Sequence, residues 1–204
     1  MTVLRPQYPY PLALSWRLPS VSRFTLFTLG LMCASPFHCA SPPIPPAQQS
    51  ECVQNLKSLY TQIIASQQEE TPAGGSRPSL LTFGFSPERK NRYAYFLGPG
   101  PMEERRGLYA VQLPRQMGIG VDTFEFRMDR ELTFRDLPPD IAQQVGIRVN
   151  GSTYDFVAAC AGNIDYRYND SPDIWTISSR DREINGEHVM AGEPYSHVND
   201  LTSN

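Results

Sequence analysis

Residues 50–70 read SECVQNLKSLYTQIIASQQEE, and what covers this stretch decides the fold. Val53, Leu56, Tyr60, Ile63 and Ile64 recur at the spacing of one helix face, while Gln54, Lys57, Gln62 and Gln67 fall on the other. Ser50 is placed to cap the start through its hydroxyl, and Glu51 sits at the positive end of the helix dipole. The run TPAGGSRP (residues 71–78) stops the helix. An apolar stripe needs a partner layer, and no second helix of this quality follows. A sheet has to cover it.

The strands lie downstream. NRYAYFLG (residues 91–98) alternates tyrosine with smaller residues, and GLYAVQLP (107–114) and DTFEFRM (122–128) alternate in part. STYDFVAACAG (152–162) puts Tyr154, Phe156, Ala158 and Cys160 on one face, and its alanines, Ala159 and Ala161 among them, permit a close approach to a helix. In PDIWTIS (172–178), Ile174, Thr176 and Ser178 oppose Trp175 and Ile177. REINGEHVM (182–190) reads as a hairpin, because Asn-Gly accepts the positive φ of a type I′ turn. LPPDIAQQVG (137–146) reads as a short helix, with Pro139 near its start and Gly146 past its end. One helix against an antiparallel sheet of about four strands makes an α+β domain, expected over residues 50–204.

Composition narrows the function. Of 18 basic and 21 acidic residues, Arg5, Arg17 and Arg23 fall in the first forty positions, where there are no acids. The remainder carries 15 basic and 21 acidic residues, a net charge of −6. So acidic a body repels nucleic acid and anionic membrane surfaces, and excludes nucleic-acid binding. Nineteen prolines and fourteen glycines imply many turns and long connections.

Residues 1–49 read as an export leader followed by a Pro-rich linker. Basic residues precede FTLFTLGLMCA (24–34), after which come Pro36, Pro42, Pro43, Pro45 and Pro46. That apolar run has the length of a signal-peptide core and falls short of the roughly 20 residues a spanning helix needs. Any membrane contact is therefore expected through this segment alone. Cys33 and Cys39 belong to it, which leaves Cys52 and Cys160 in the body. In an exported chain those two form either a disulfide or a pair of buried thiols.

Candidate chemical groups are few. Asn163, Asp165, Asn169, Asp170 and Asp173 offer oxygen ligands of the kind calcium takes, yet lack EF-hand spacing, and Asx residues equally well form turns. Asp165 and Asp173 as an acid/base pair, or Ser196, His197 and Asp200 as a triad, lack any motif that would orient them. The three histidines, His38, His188 and His197, have no metal-ligand spacing. NGS (150–152) matches a glycosylation sequon, and PERKNR (87–92) reads as a solvated loop. These residues point to no enzyme and to no cofactor other than calcium.

Four stretches in order resemble type IV pilins and the related pseudopilins. NLKSLYTQ (55–62) resembles the second half of the pilin spine helix, and FGFSPERKNRYAYFLG (83–98) the segment that leads into the family's first strand. FVAACAGNIDYRYNDSPDIWTIS (156–178) is similar to its Ala-rich strand, Gly-Asn-Ile-Asp turn and Trp-Thr-Ile strand, and AGEPYSHVNDL (191–201) to its C-terminal loop. The resemblance implies a pilin-like fold and a non-enzymatic structural subunit, a pilin, minor pilin or pseudopilin of a type IV pilus or type II secretion filament. Its partners would be other pilin-like subunits or envelope proteins. It would be anchored in the inner membrane, in a pilus, or free in the periplasm or medium. Some pseudopilins hold calcium in a loop beside the sheet, which adds to the calcium reading of residues 163–173. The leader departs from the family pattern. SRFTLFTLGLM (22–32) keeps Phe24, Thr25 and Leu26 but has Arg23 where prepilins have glycine and Thr28 where they have glutamate. This is either a decayed prepilin leader or an ordinary export signal ahead of a pilin-like head. In the second case the product is a soluble exported binding module that builds no filament.

Overall fold

The computed structural model describes residues 47–68, 78–127, 131–164 and 172–199. Helix α1 spans Ala47–Gln68. It begins ahead of Ser50, so Ser50 lies in the first turn and does not cap it. The line of α1 pressed against the sheet is Cys52, Leu56, Leu59 and Ile63, all fully buried. Their spacing of four, three and four residues stacks them on one helix face. Tyr60 and Ile64 pack at the margin, and Val53, expected in the centre, is only half-buried. Gln54 and Lys57 face solvent, but Gln67 does not point away, because its amide donates to the Tyr154 carbonyl at 3.2 Å.

The sheet has seven strands where about four were expected. They are β1 (Tyr93–Phe96), β2 (Met102–Glu103), β3 (Gly118–Ile119), β4 (Gly146–Asn150), β5 (Thr153–Gly162), β6 (Asp173–Ser178) and β9 (Tyr195–Val198). The order is β2-β3-β1-β5-β6-β9, with β4 paired to the first half of β5. Among the described residues, only the β2–β3 pair is parallel. A separate hairpin joins β7 (Arg182–Ile184) to β8 (Glu187–Val189), and Asn185 and Gly186 take φ of 52° and 81° at its turn. Those are the positive values that the Asn-Gly dipeptide promised.

The alternation in β5 and β6 sorts as the sequence implies. Tyr154, Phe156, Ala158, Cys160, Trp175 and Ile177 join the α1 side, together with Tyr93, Tyr95 and Leu97 of β1. Ala159, Ala161 and Ile174 face the opposite way, with Ala94 and Phe96. That second face is also covered. Leu132, Leu137, Ile141 and Val145, carried by residues 131–145 and the short helix α2 (Pro139–Ala142), lie against it. The alanines of β5 therefore serve both layers, and a strand buried on both faces reads as a nearly continuous apolar run.

Two expected strands are absent. Residues 107–114 and 122–127 are bends and turns, and Leu108, Tyr109 and Val111 project into solvent, Tyr109 with 81% of its surface exposed. An alternating pattern becomes a strand only where a neighbour offers a ladder, and none reaches this segment. At residues 122–126, the Asp122 carbonyl instead accepts the Phe126 N–H at 2.9 Å, which closes a turn. Conversely, β4 lies between the expected short helix and the sequon, where no element was expected, and β9 comes from a segment read as a loop. Asn150 pairs with Thr153 across Gly151, at φ 61°, so the Asn-Gly-Ser match is also a hairpin turn.

Candidate functional site

The first turns of α1 meet β1 and β6 through a buried polar network. Tyr95 donates its hydroxyl proton to Glu51 Oε1 at 2.9 Å and accepts from Asn55 Nδ2 at 2.7 Å. The Arg92 N–H donates to both Glu51 oxygens, at 3.2 and 3.1 Å. Burial pushes the Glu51 carboxyl up, and the Arg92 amide and the Tyr95 hydroxyl pull it back only in part. Beside it, Asp173 is fully buried at the start of β6. Its carboxylate accepts from Tyr93 Oη at 2.7 Å, Trp175 Nε1 at 2.7 Å and Gln49 Nε2 at 3.0 Å. Burial, then the Asp173 charge, raises the Tyr93 phenol; burial, then the Glu51 charge, raises that of Tyr95. Both hydroxyls stay protonated and act as donors. Next to this network, Cys52 on α1 and Cys160 on β5 are joined by a disulfide, with Cα atoms 6.2 Å apart.

PERKNR is not a solvated loop. Arg89 grips Asp122 with Nε at 2.6 Å and Nη2 at 2.8 Å, and the Lys90 and Glu125 amides donate to the same carboxylate. Asn91 is buried and donates to the carbonyls of Tyr93 and Gly120, both at 2.8 Å. Arg105, also buried, bonds Glu103 Oε1 at 2.7 Å and Asn91 Oδ1 at 2.7 Å, and Gln116 satisfies the other Glu103 oxygen at 3.1 Å. These groups hold the β2–β3 edge onto the turn before β1. Each charge is paired and hydrogen-bonded, the condition under which buried charge is tolerated.

The predicted site residues are only partly brought together. Of the five calcium candidates, Asp165, Asn169 and Asp170 lie outside the described residues; Asn163 is half-buried, and Asp173 is engaged by the three donors above. Among the described residues, no three His, Cys, Asp or Glu side chains gather as metal ligands. Arg23, Phe24 and Thr28 of the leader also lie outside, as does Asp200 of the paper triad. His197 instead shares a 2.8 Å hydrogen bond with Thr176 Oγ1, and burial lowers its pKa. No described helix is long and apolar enough to cross a membrane.

A family model for type IV pilin PilA matches residues 45–171, well over half of the chain. The chain belongs to that family. The pilin match runs from just ahead of α1 to just before β6, and so takes in both polar networks apart from Asp173 and Trp175. No curated protein matches. The coarse function follows from the family: a type IV pilin-like structural subunit, exported and made to associate with other pilin subunits. The buried networks suit that work, since they fix the shape of the head. Tyr93 and Arg105, which help to build them, carry no sequence signal for these bonds, and Glu51 shows only as a charge suited to a helix start. Their partners lie between two and about eighty residues away.

Proposed function

We propose that the chain is a minor-pilin or pseudopilin-type subunit, delivered by its leader and built to place a rigid head in a pilus or secretion filament. The observation that carries this reading is the burial of the central line of α1 within the head. Cys52, Leu56, Leu59 and Ile63 have no exposed surface, so that line is not available to a neighbour's helix. Packing between subunits then falls to the apolar leader segment at residues 24–34 and to the loops of the head. The mature N-terminus and cell fraction, measured by mass spectrometry on membrane, periplasmic and sheared-surface samples, test it. A chain beginning near Phe24 in the membrane or filament fraction is the expected result.

One observation favours a second reading. Pro42, Pro43, Pro45 and Pro46 stand directly before α1, and a proline inside a helix costs about 3 kcal/mol or more. A spine running unbroken from Phe24 into α1 is thus disfavoured, as it would be for a head released into the periplasm or medium as a binding module. A soluble chain beginning near residues 40–50 would establish that alternative and end the first.

A further inference from the structure

The two sides of β5 carry surfaces of complementary character. β5 holds β4 along one edge and β6 along the other. Against β4 lies a cleft of about 350 Å³, lined chiefly by Pro99, Pro101, Met117, Ile147 and Val149, with 61% of Val149 exposed. Arg115 lines this cleft, and Arg135 stands across the Pro99–Gly100 ridge beside Met102. Both arginines are exposed, and neither has an ion-pair partner among the described residues. Glu104, near Arg135, is engaged by Arg106 at 3.7 Å.

The β7–β8 hairpin, which follows β6 on the other flank, has the complementary character. Asp181, Glu183, Glu187 and Glu193 are exposed there, and Met190 presents 60% of its surface beside them. Glu187 and Glu193 make no ion pair among the described residues, while Asp181 and Glu183 share His188 at 3.7 and 2.9 Å. Arg180 is taken by Asp155, and Arg182 turns inward to Thr176 Oγ1 at 2.8 Å. Met190 thus stands at the base of an acidic hairpin whose turn is Asn185-Gly186, while the apolar cleft is flanked by unpaired arginines.

We propose that the β7–β8 hairpin of one copy of this chain seats on the β4 cleft of the next. Met190 enters between the Pro99–Pro101 ridge and Val149, and Glu187 and Glu193 face Arg115 and Arg135. The two surfaces differ, so the contact is heterologous, and without ring closure it propagates as an open row, the geometry of a filament. The charges set register and exclude wrong partners, and the buried methionine supplies apolar contact. The inference rests on the subunit reading above and names the surfaces it would use.

The test uses the full chain in exporting cells, with the protein recovered from sheared surface material as readout. Arg115→Glu with Arg135→Glu, and separately Glu187→Lys with Glu193→Lys, should each lower recovery about tenfold. The quadruple variant should regain most of it. All four positions are exposed, so thermal unfolding of each variant should match the wild type. A disulfide-linked ladder from Val149→Cys with Met190→Cys, which leaves the charges intact, would support the contact independently. Wild-type recovery from either charge reversal, an effect confined to the cleft side, a quadruple variant no better than the doubles, or the lack of a ladder would each overturn the contact and leave the subunit reading standing. Wild-type protein found only as a soluble chain, and missing from both the membrane and the sheared material, would overturn both.

Discussion

Replacing Asp122 by Asn removes one charge from a site where four donors converge, and the size of the effect follows from the geometry. Burial alone would raise the Asp122 carboxyl; the Arg89 side chain, the Lys90 and Glu125 amides and the Arg89 charge outweigh it and bring the pKa from 3.8 to about 2. At about 1.4 kcal/mol per pH unit, that separation contributes roughly 2 kcal/mol to stability. Folding lowers this pKa, so the folded chain binds fewer protons than the unfolded chain within the window. The contribution is complete above about pH 5, about half gone by pH 3, and lost as the pH falls through about 2. Other carboxylates titrate in the same range, so the quantity to follow is the gap between wild type and Asp122→Asn. Urea unfolding of the mature protein from pH 7 to pH 2.5, followed by tryptophan fluorescence, measures it. The variant should be less stable by about 2 kcal/mol at pH 7, with the gap closing toward acid. A gap that stays constant over the whole range would refute the argument that Asp122 is held ionised by Arg89 and the two amides.

Three further outcomes probe the core, the cross-link and the surface. The Cys52→Ala/Cys160→Ala variant should lose about 2–4 kcal/mol in denaturant unfolding, below the ceiling of 4–5 kcal/mol that chain entropy sets for a span of 108 residues; finding two free thiols in the exported native protein would remove the basis for it. Gly162→Ala should cost about 1–3 kcal/mol, because a Cβ there would meet the Tyr93 ring at 2.7 Å and the Arg92 carbonyl at 2.9 Å; thermal unfolding checks this, and an unchanged midpoint counts against the close packing of β1 on β5. Tyr109→Ser should shift stability by no more than about 0.5 kcal/mol despite the loss of an aromatic ring, since the side chain projects into solvent. A large loss in calorimetry would mean that residues 107–114 pack on the head after all.

The elements that could be read from the sequence are those whose signal is local. The two faces of β5 and β6 follow from period-two alternation, and the β7–β8 turn from Asn185-Gly186, because both patterns act within a few residues. The β4–β5 hairpin had the same kind of signal at Asn150-Gly151, hidden behind a second meaning of the same letters. Residues 107–114 show the opposite failure: their alternation is real, but strand formation depends on a partner that sequence periodicity cannot supply. The polar networks were out of reach for a different reason. Arg89 and Asp122, or Tyr93 and Asp173, become neighbours only when the sheet closes, so the five charged and amide letters in PERKNR looked like a solvated loop. Glu51 was legible as a charge suited to a helix start, yet its carboxylate is occupied by the Arg92 amide and the Tyr95 hydroxyl of the strand beside it.

The link between Cys52 and Cys160 also determines how the head carries a mechanical load. A tug arriving from the N-terminal side of α1 reaches Cys52 within a few residues of the helix start and passes sideways into β5. That strand is flanked by β1, β4 and β6, which spread the load across several ladders in shear and spare the rest of α1 from being peeled off. The stretch between the two cysteines, a sequence separation of 108, is then withheld from extension. Pulled from its ends, the reduced chain should lengthen by about 360–390 Å more than the oxidised one, a difference that single-molecule force spectroscopy resolves directly.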